Sequence, residues 1–391
     1  MNQILQDLQI CGFRGFQEIK LSGLGQVNLI VGNNNSGKTS LLEAIAIFCN
    51  PLDPFRWIEV SKRSFSSGRV YPAFRPDLES IKWIFEKKSD LSDSEEFYGK
   101  LVINCKGNTT IKQLEAELSD IYSIPIKNSE DDQLENDLEN DEKATLENDL
   151  ENDQKNEIYR KGLELKIKTN EFHQPTDLLD LLNTNNQIRI ETFEFWEDER
   201  FIARGRKKPF INTNIISPAY SNLASVRLSK LILSNKESKN EILNLINFFD
   251  PDIIDIMILT PKQLGNIYID HQKLGLTPLD IFGDGIKKTL AMALAIQSAK
   301  DGILLIDEIE TSIHVSALSQ VFSWLIESCF KQNIQLFVTT HSLEAVDAMI
   351  TSSKNIDNIV GFQLNKIDNS VKRFYGDLLS RLRLNRGLDI R

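Results

Sequence analysis

The octapeptide Gly32-Asn33-Asn34-Asn35-Ser36-Gly37-Lys38-Thr39 constrains this chain more than any other stretch. Two glycines bracket a polar loop, and the second is followed at once by Lys and a hydroxyl residue. Before the loop, Val27-Asn28-Leu29-Ile30-Val31 reads as a buried strand. After it, Ser40-Leu41-Leu42-Glu43-Ala44-Ile45-Ala46-Ile47-Phe48 is rich in helix formers. A strand, a glycine-bounded loop and a helix N-terminus together aim backbone N–H groups at one point, where the helix dipole adds positive potential. A phosphate suits such a cradle. Asn33, Asn34, Asn35, Ser36, Gly37 and Ser40 would line it, Lys38 would reach the β and γ phosphates of a nucleotide, and the Thr39 hydroxyl would complete the shell of a Mg2+ ion. Gly/Asn/Ser-rich turns also arise by chance, but the flanking strand and helix argue against that here.

A second element supplies the carboxylates this chemistry needs. Ile303-Leu304-Leu305-Ile306 predicts a central strand that ends in Asp307-Glu308, a Walker B pattern. Ligands of open α/β sheets bind at the carboxyl edge of the strands, so Asp307 is expected to meet Mg2+ beside Thr39. Glu308 then stands one residue further on, where a general base polarises the attacking water. Gln335-Leu336-Phe337-Val338-Thr339 is another apolar strand, followed by Thr340-His341-Ser342. An isolated His is more often structural than catalytic. At the end of a strand beside Walker B, however, His341 is expected at the γ-phosphate or the lytic water.

The elements alternate in a way that predicts an α/β fold. Asp7–Cys11 and Gln17–Leu21 alternate as strands do, and Leu101–Cys105, Leu163–Ile167 and Gln187–Thr192 suggest a small β-rich lobe. The stretch 221–249 reads as helical, and strands at Ile253–Leu259 and Asn266–Asp270 follow. Gly285–Ala295 and Ser316–Phe330 read as helices flanking the Walker B strand. Strands alternating with helices imply a parallel sheet with right-handed crossovers, shared by the phosphate loop and this late block.

Bulk properties exclude several classes. The chain has 391 residues, a hydrophobic fraction of 41% and no apolar run of membrane-spanning length. Residues 1–7 lack the features of a signal peptide, and Cys11, Cys49, Cys105 and Cys329 form no C-x-x-C pair. These observations fit a reduced, cytoplasmic protein without a disulfide or zinc framework. The formal charge of −11 is local: Glu130–Asp153 holds twelve acidic residues and one basic, so the remainder sums to zero. Within it Leu134–Asp141 recurs identically at Leu146–Asp153. A low-complexity insert over 128–156 with so few apolar residues is expected to remain solvated.

The order of motifs resembles the ATP-binding-cassette ATPases of the SMC and RecF type. The similarity is closest to the ATPase half of OLD (overcoming lysogenization defect) nucleases and their antiphage relatives. It rests on Gly12-Phe13-Arg14-Gly15-Phe16, Gly32–Ser40, Pro278–Lys287, Asp307-Glu308-Ile309-Glu310, Ile313-His314 and Thr340-His341-Ser342. The resemblance implies an ABC-type ATPase head over 1–350, with a mixed β lobe, a parallel P-loop sheet and a short helical insertion at 219–250 suited to dimerisation. A C-terminal extension would cover 351–391. It further implies that Arg14 approaches the nucleotide phosphates and that Gly283-Asp284-Gly285 is the signature, gripping the γ-phosphate held by a second subunit. Two ATP molecules would then be sandwiched in a head-to-tail homodimer, with Glu310 to His314 as the D-loop between sites.

Two features depart from that family. Ile215-Ile216-Ser217-Pro218 looks like the strand exit that carries a magnesium-sensing Gln elsewhere, but no Gln is present. OLD nucleases also continue into a Toprim nuclease domain. Here the residues after His341 contain no Glu followed by an Asp-x-Asp pair at a plausible strand end. The expected function is therefore a dimeric ATP-driven switch of a two-component antiphage system, controlling a separately encoded effector such as a nuclease. The alternative is a RecF-like repair ATPase that binds DNA through the basic stretch Arg204, Arg206, Lys207 and Lys208.

Overall fold

The computed structural model describes residues 3–63, 77–86, 96–123, 160–172, 186–198, 207–218, 236–259, 266–365 and 369–391. The acidic insert at 128–156, Arg204, Arg206 and residues 219–235 of the helical insertion lie outside the described residues.

The chain opens with the hairpin β1 (Asp7–Phe13) and β2 (Phe16–Ser22), then β3 (Val27–Val31), α1 (Lys38–Cys49), α2 (Pro54–Ser61) and α3 (Leu78–Lys82). Next come four long strands, β4 (Tyr98–Lys106), β5 (Ile111–Ser123), β6 (Arg160–Phe172) and β7 (Asn186–Trp196). These join the first hairpin in one antiparallel sheet of order β2-β1-β4-β5-β6-β7. Alternation sorts its faces: Leu8 and Ile10, like Leu114, Ala116 and Leu118, point into a core while their neighbours face outward. The Lys112–Leu118 stretch is built of helix formers, and β5 is missed by pattern reading for that reason. Pairing on both sides with β4 and β6 overrides the local preference.

The remainder is β8 (Thr213–Ile216), α4 (Lys236–Ile246), β9 (Ile253–Leu259), β10 (Asn266–His271), β11 (Gly275–Pro278), α5 (Asp284–Ser298), β12 (Ile303–Ile306), α6 (Val315–Lys331), β13 (Gln335–Thr339), α7 (Leu343–Ser352), β14 (Ile359–Leu364), β15 (Val371–Tyr375) and α8 (Gly376–Ser380). The second sheet runs β15-β14-β3-β13-β12-β8. It is parallel except at β15, as the alternating pattern predicts. Its central strands β3, β13 and β12 are buried at every position, the mark of a sheet covered on both faces. The stretch read as an extension beyond 350 supplies β14 and β15 to this sheet, with β14 directly beside the phosphate-loop strand.

Strand order fixes the site. β13 lies between β3 and β12, so the carboxyl ends of all three open side by side. Buried polar side chains stitch the lobes together. The Gln335 amide accepts from Leu5 N–H (2.9 Å) and donates to the carbonyls of Leu5 (2.8 Å) and Gly25 (2.9 Å). Gln335 is tolerated in the core because both ends of its amide find partners. A third, smaller core gathers around Ile256, Ile269, Ile246 and Leu290, seating β9–β11 on α4 and α5.

Candidate nucleotide site

The loop between β3 and α1 has the expected form. Gly37 caps the N-terminus of α1 with φ 92°, and a Cβ there would meet the Phe16 ring at 2.5 Å. Glycine is therefore required both by conformation and by space. Asn33, Asn34 and Asn35 are exposed, Ser36 is buried, and Lys38, Thr39 and Ser40 are half-buried on the first turn of α1. Asn35 holds φ 62°, a left-handed conformation that Asn tolerates better than most residues. The Lys38 ammonium donates to the carbonyls of Gly32 (2.7 Å) and Asn33 (3.0 Å), so it arches across the loop it would share with a phosphate. Burial lowers its pKa, against the opposing pull of Asp307, Glu308 and Glu310.

Carboxylates and hydroxyls converge on the far side. Thr39 Oγ1 donates to Asp307 Oδ2 (2.8 Å), and Thr339 Oγ1 donates to Asp307 Oδ1 (2.5 Å). Glu308 N–H in turn donates to Thr339 Oγ1 (2.8 Å). Thr339 is fully buried at the end of β13, between the loop strand and the Walker B strand. Nothing in the sequence singled it out, because its importance arises from strand order. Asp307 N–H also bonds Ile216 O (2.7 Å), which places the Ile215–Pro218 exit beside Walker B, still without a Gln.

Glu308 has φ 47°, a left-handed backbone that a non-glycine residue adopts only under constraint. Its Oε2 accepts from Thr311 Oγ1 (3.2 Å), and its backbone carbonyl accepts from Lys288 Nζ (2.7 Å). Lys288 comes from α5, and burial pushes its ammonium down to about 8 even though Glu310, Glu308 and Asp307 pull the other way. The sequence reading missed it. Its neighbour Lys287 pairs instead with Asp284 at 3.3 Å.

Other expected site residues sit as follows. Arg14 is engaged within the chain: its Nε lies 2.9 Å from Glu43 Oε2 and its Nη2 donates to Val60 O (2.8 Å). Arg63 Nε approaches the same Glu43 at 3.3 Å. Burial drives the Glu43 carboxyl up to about 7, offset in part by the two arginines. Glu310 Oε1 accepts from the backbone N–H groups of His341 (3.0 Å) and Ser342 (3.2 Å) and lies 3.2 Å from His341 Nδ1. His341 is half-exposed at the expected strand end, so Glu310 orients it from within the same chain. His314 caps α6 by accepting Ser316 N–H at its Nδ1 (3.3 Å). Gly283 and Asp284 are exposed at the tip of α5, whereas a Cβ on Gly285 would meet Ser312 O at 3.1 Å.

A separate group, Asp250, Asp252 and His271, brings three ligand-type atoms within 4.8 Å. His271 Nδ1 accepts the N–H groups of Lys273 and Leu274 (both 3.1 Å), which leaves Nε2 to donate to Asp250 (3.2 Å). Nδ1 thus staples the 271–274 turn, and Nε2 is engaged with Asp250.

A protein-family model described as "AAA domain, putative AbiEii toxin, Type IV TA system" matches residues 27–347. An "ATP/GTP phosphatase" of Helicobacter pylori is 25% identical over 398 residues, spanning 96% of this chain and 97% of the relative. The DNA replication and repair protein RecF of Idiomarina loihiensis is 51% identical over 41 residues, 10% of this chain and 12% of its own length. Among solved structures, an SMC head bound to the C-terminal winged-helix domain of ScpA aligns over 98% of this chain and 100% of that chain. Its identity is 12% and its TM-score 0.45.

Proposed function

The chain belongs to the AAA-domain family whose description includes the AbiEii-type toxins, and on that premise we propose that it is an ATP-hydrolysing switch working as a homodimer. The observation that carries this reading is the Thr39–Asp307 hydrogen bond, which brings the phosphate loop and the Walker B carboxylate to one point. A hydroxyl and a carboxylate oxygen so placed fit the hard-oxygen preference of Mg2+ and would hold it. When bound, that ion supplies charge neutralisation to the β and γ phosphates of ATP.

The chain's own residues carry the remaining tasks. The loop amides from Asn33 to Gly37 and the Lys38 ammonium bind and orient the triphosphate. Glu308 takes the proton of the attacking water, and His341, oriented by Glu310, donates to the transferred phosphoryl group. The Gly283-Asp284-Gly285 tip of α5, exposed at its first two residues, receives the γ-phosphate of the second subunit, with Glu310 to His314 between the two sites. ATP binding closes the pair and hydrolysis reopens it, and that alternation controls a separately encoded effector, such as a nuclease, in antiphage defence. The family description, with its toxin and toxin–antitoxin wording, supports a defence role.

The RecF-like alternative draws on the short stretch of identity with a repair protein and on the basic segment ending at Lys208. Lys207 is already paired with Glu191 at 2.6 Å and lies over the Phe193 ring, which leaves less of its charge for a DNA phosphate. Sizing of Glu308→Gln with and without ATP and Mg2+ tests the switch. An ATP-dependent dimer without turnover supports it, and a monomer under all conditions removes the sandwich.

A further inference from the structure

Lys288 is the one cation whose side chain runs from the signature helix to the backbone of the catalytic carboxylate, among the described residues. It lies one turn into α5, four positions after Asp284. Its Nζ donates to the Glu308 carbonyl at 2.7 Å. On its other side, Glu308 N–H is held by Thr339 Oγ1, which itself donates to Asp307. The Glu308 residue is thus gripped at both ends of a left-handed backbone that would otherwise relax. An unbroken polar chain runs from α5 through Lys288, Glu308, Thr339 and Asp307 to Thr39 in the phosphate loop.

We propose that Lys288 is a positioning residue for hydrolysis: it clamps the Glu308 carbonyl and so ties the geometry of one active site to the position of the helix whose tip faces the second subunit. The inference rests on the hydrolytic reading above. A shift of α5 on dimer closure moves Nζ relative to Glu308, while a backbone held only by Thr339 is free to swing the carboxylate off the water. Lysine suits this task because its long stem reaches across a helix–strand gap and its ammonium satisfies the carbonyl. Burial disfavours the ammonium, and the negative charges of Glu310, Glu308 and Asp307 offset that cost in part.

The test uses the full chain with Lys288→Met, which keeps the length and loses the donor, and Lys288→Arg, which keeps a donor. Steady-state ATP turnover with Mg2+ is measured beside hydrogen exchange of the 305–313 segment in nucleotide-free protein. In Lys288→Met we expect kcat to fall by about tenfold or more with KM within about threefold, the pattern of a lost transition-state contribution. Exchange across Glu308 and Ile309 rises in the same variant, and Lys288→Arg recovers most of both. Wild-type turnover and exchange in Lys288→Met overturn the proposal, as does equal impairment by Met and Arg. A wild-type chain that turns over no ATP defeats the hydrolytic reading instead, and the exchange measurement then decides the clamp alone.

Discussion

Thr39 Oγ1 donates to Asp307 Oδ2 at 2.8 Å although 268 positions separate the two in sequence. One residue opens the helix after β3, the other ends β12, and β13 lies between those strands. The bond exists because three parallel strands end at one level. It brings two short motifs far apart in the chain to one point.

Lys38→Ala removes the ammonium that arches over Gly32 and Asn33. Calorimetric titration with ATP and Mg2+ should show binding weakened by on the order of 100-fold or more, since charge-assisted contacts to phosphate are among the strongest available. Thermal stability should change little, because the ammonium is only half-buried. Unaltered affinity would remove Lys38 from the site.

Thr339→Val keeps the shape of β13 and deletes its hydroxyl. Glu308 N–H loses its acceptor and Asp307 Oδ1 loses its donor. Leaving buried groups unpaired costs about 1–3 kcal/mol each, so denaturant titration should register a loss of that order. Hydrolysis should fall by more than stability accounts for, because both carboxylate-bearing residues lose their anchor. A variant equal to wild type in both measurements would show that the hydroxyl bridges nothing of consequence.

The two glycines of the α5 tip separate packing from partner contact. Gly285→Ala crowds Ser312 O at 3.1 Å, while an added Cβ at Gly283 meets nothing within 4 Å. Melting curves should therefore place Gly285→Ala below wild type by about 1 kcal/mol, within the usual range for overpacking, and leave Gly283→Ala near it. ATP-dependent dimerisation should weaken in Gly283→Ala if that exposed tip meets a phosphate. A fully competent Gly283→Ala dimer would confine the tip's role to the turn before α5.

Glu43 gives stability a distinct pH dependence. Its carboxyl is raised by burial from the ordinary 4.5 to about 7, so between those values the folded chain holds a proton that the unfolded chain has released. Stability from this group therefore falls as pH rises from 4.5 through 7, and the loss is complete above that window. One pKa unit is worth 1.36 kcal/mol, so the full span is on the order of 3 kcal/mol. Glu43→Gln should flatten that component in chemical denaturation between pH 5 and 8. An unchanged slope would mean that Arg14 and Arg63 hold the carboxylate ionised throughout.

Much of this was legible in local pattern. The P-loop octapeptide, the Asp307-Glu308 strand end and His341 lie where strand, loop and helix chemistry put them. β9, β10, α5, α6 and β13 follow their predicted stretches within a few residues. Three things escaped. β5 is spelled in helix-forming residues, β14 joins the nucleotide sheet from beyond the expected end of the head, and Lys288 sits one position past a lysine paired elsewhere. Arg14 also pairs with Glu43, a partner on α1 that local spacing could not reveal.

From its residues alone, this chain declared a glycine-bounded loop between strand and helix, a carboxylate pair and the alternation of strands with helices. Those depend on contacts within a few positions: backbone sterics, helix polarity and side-chain periodicity. Assembly of the chain decided which strand lies next to which, and with it that Thr339 bridges Asp307 to Glu308 and that a lysine of α5 holds Glu308 by its carbonyl. Neighbours across a sheet are chosen by crossovers and by the burial of whole faces, and no short window of sequence encodes them.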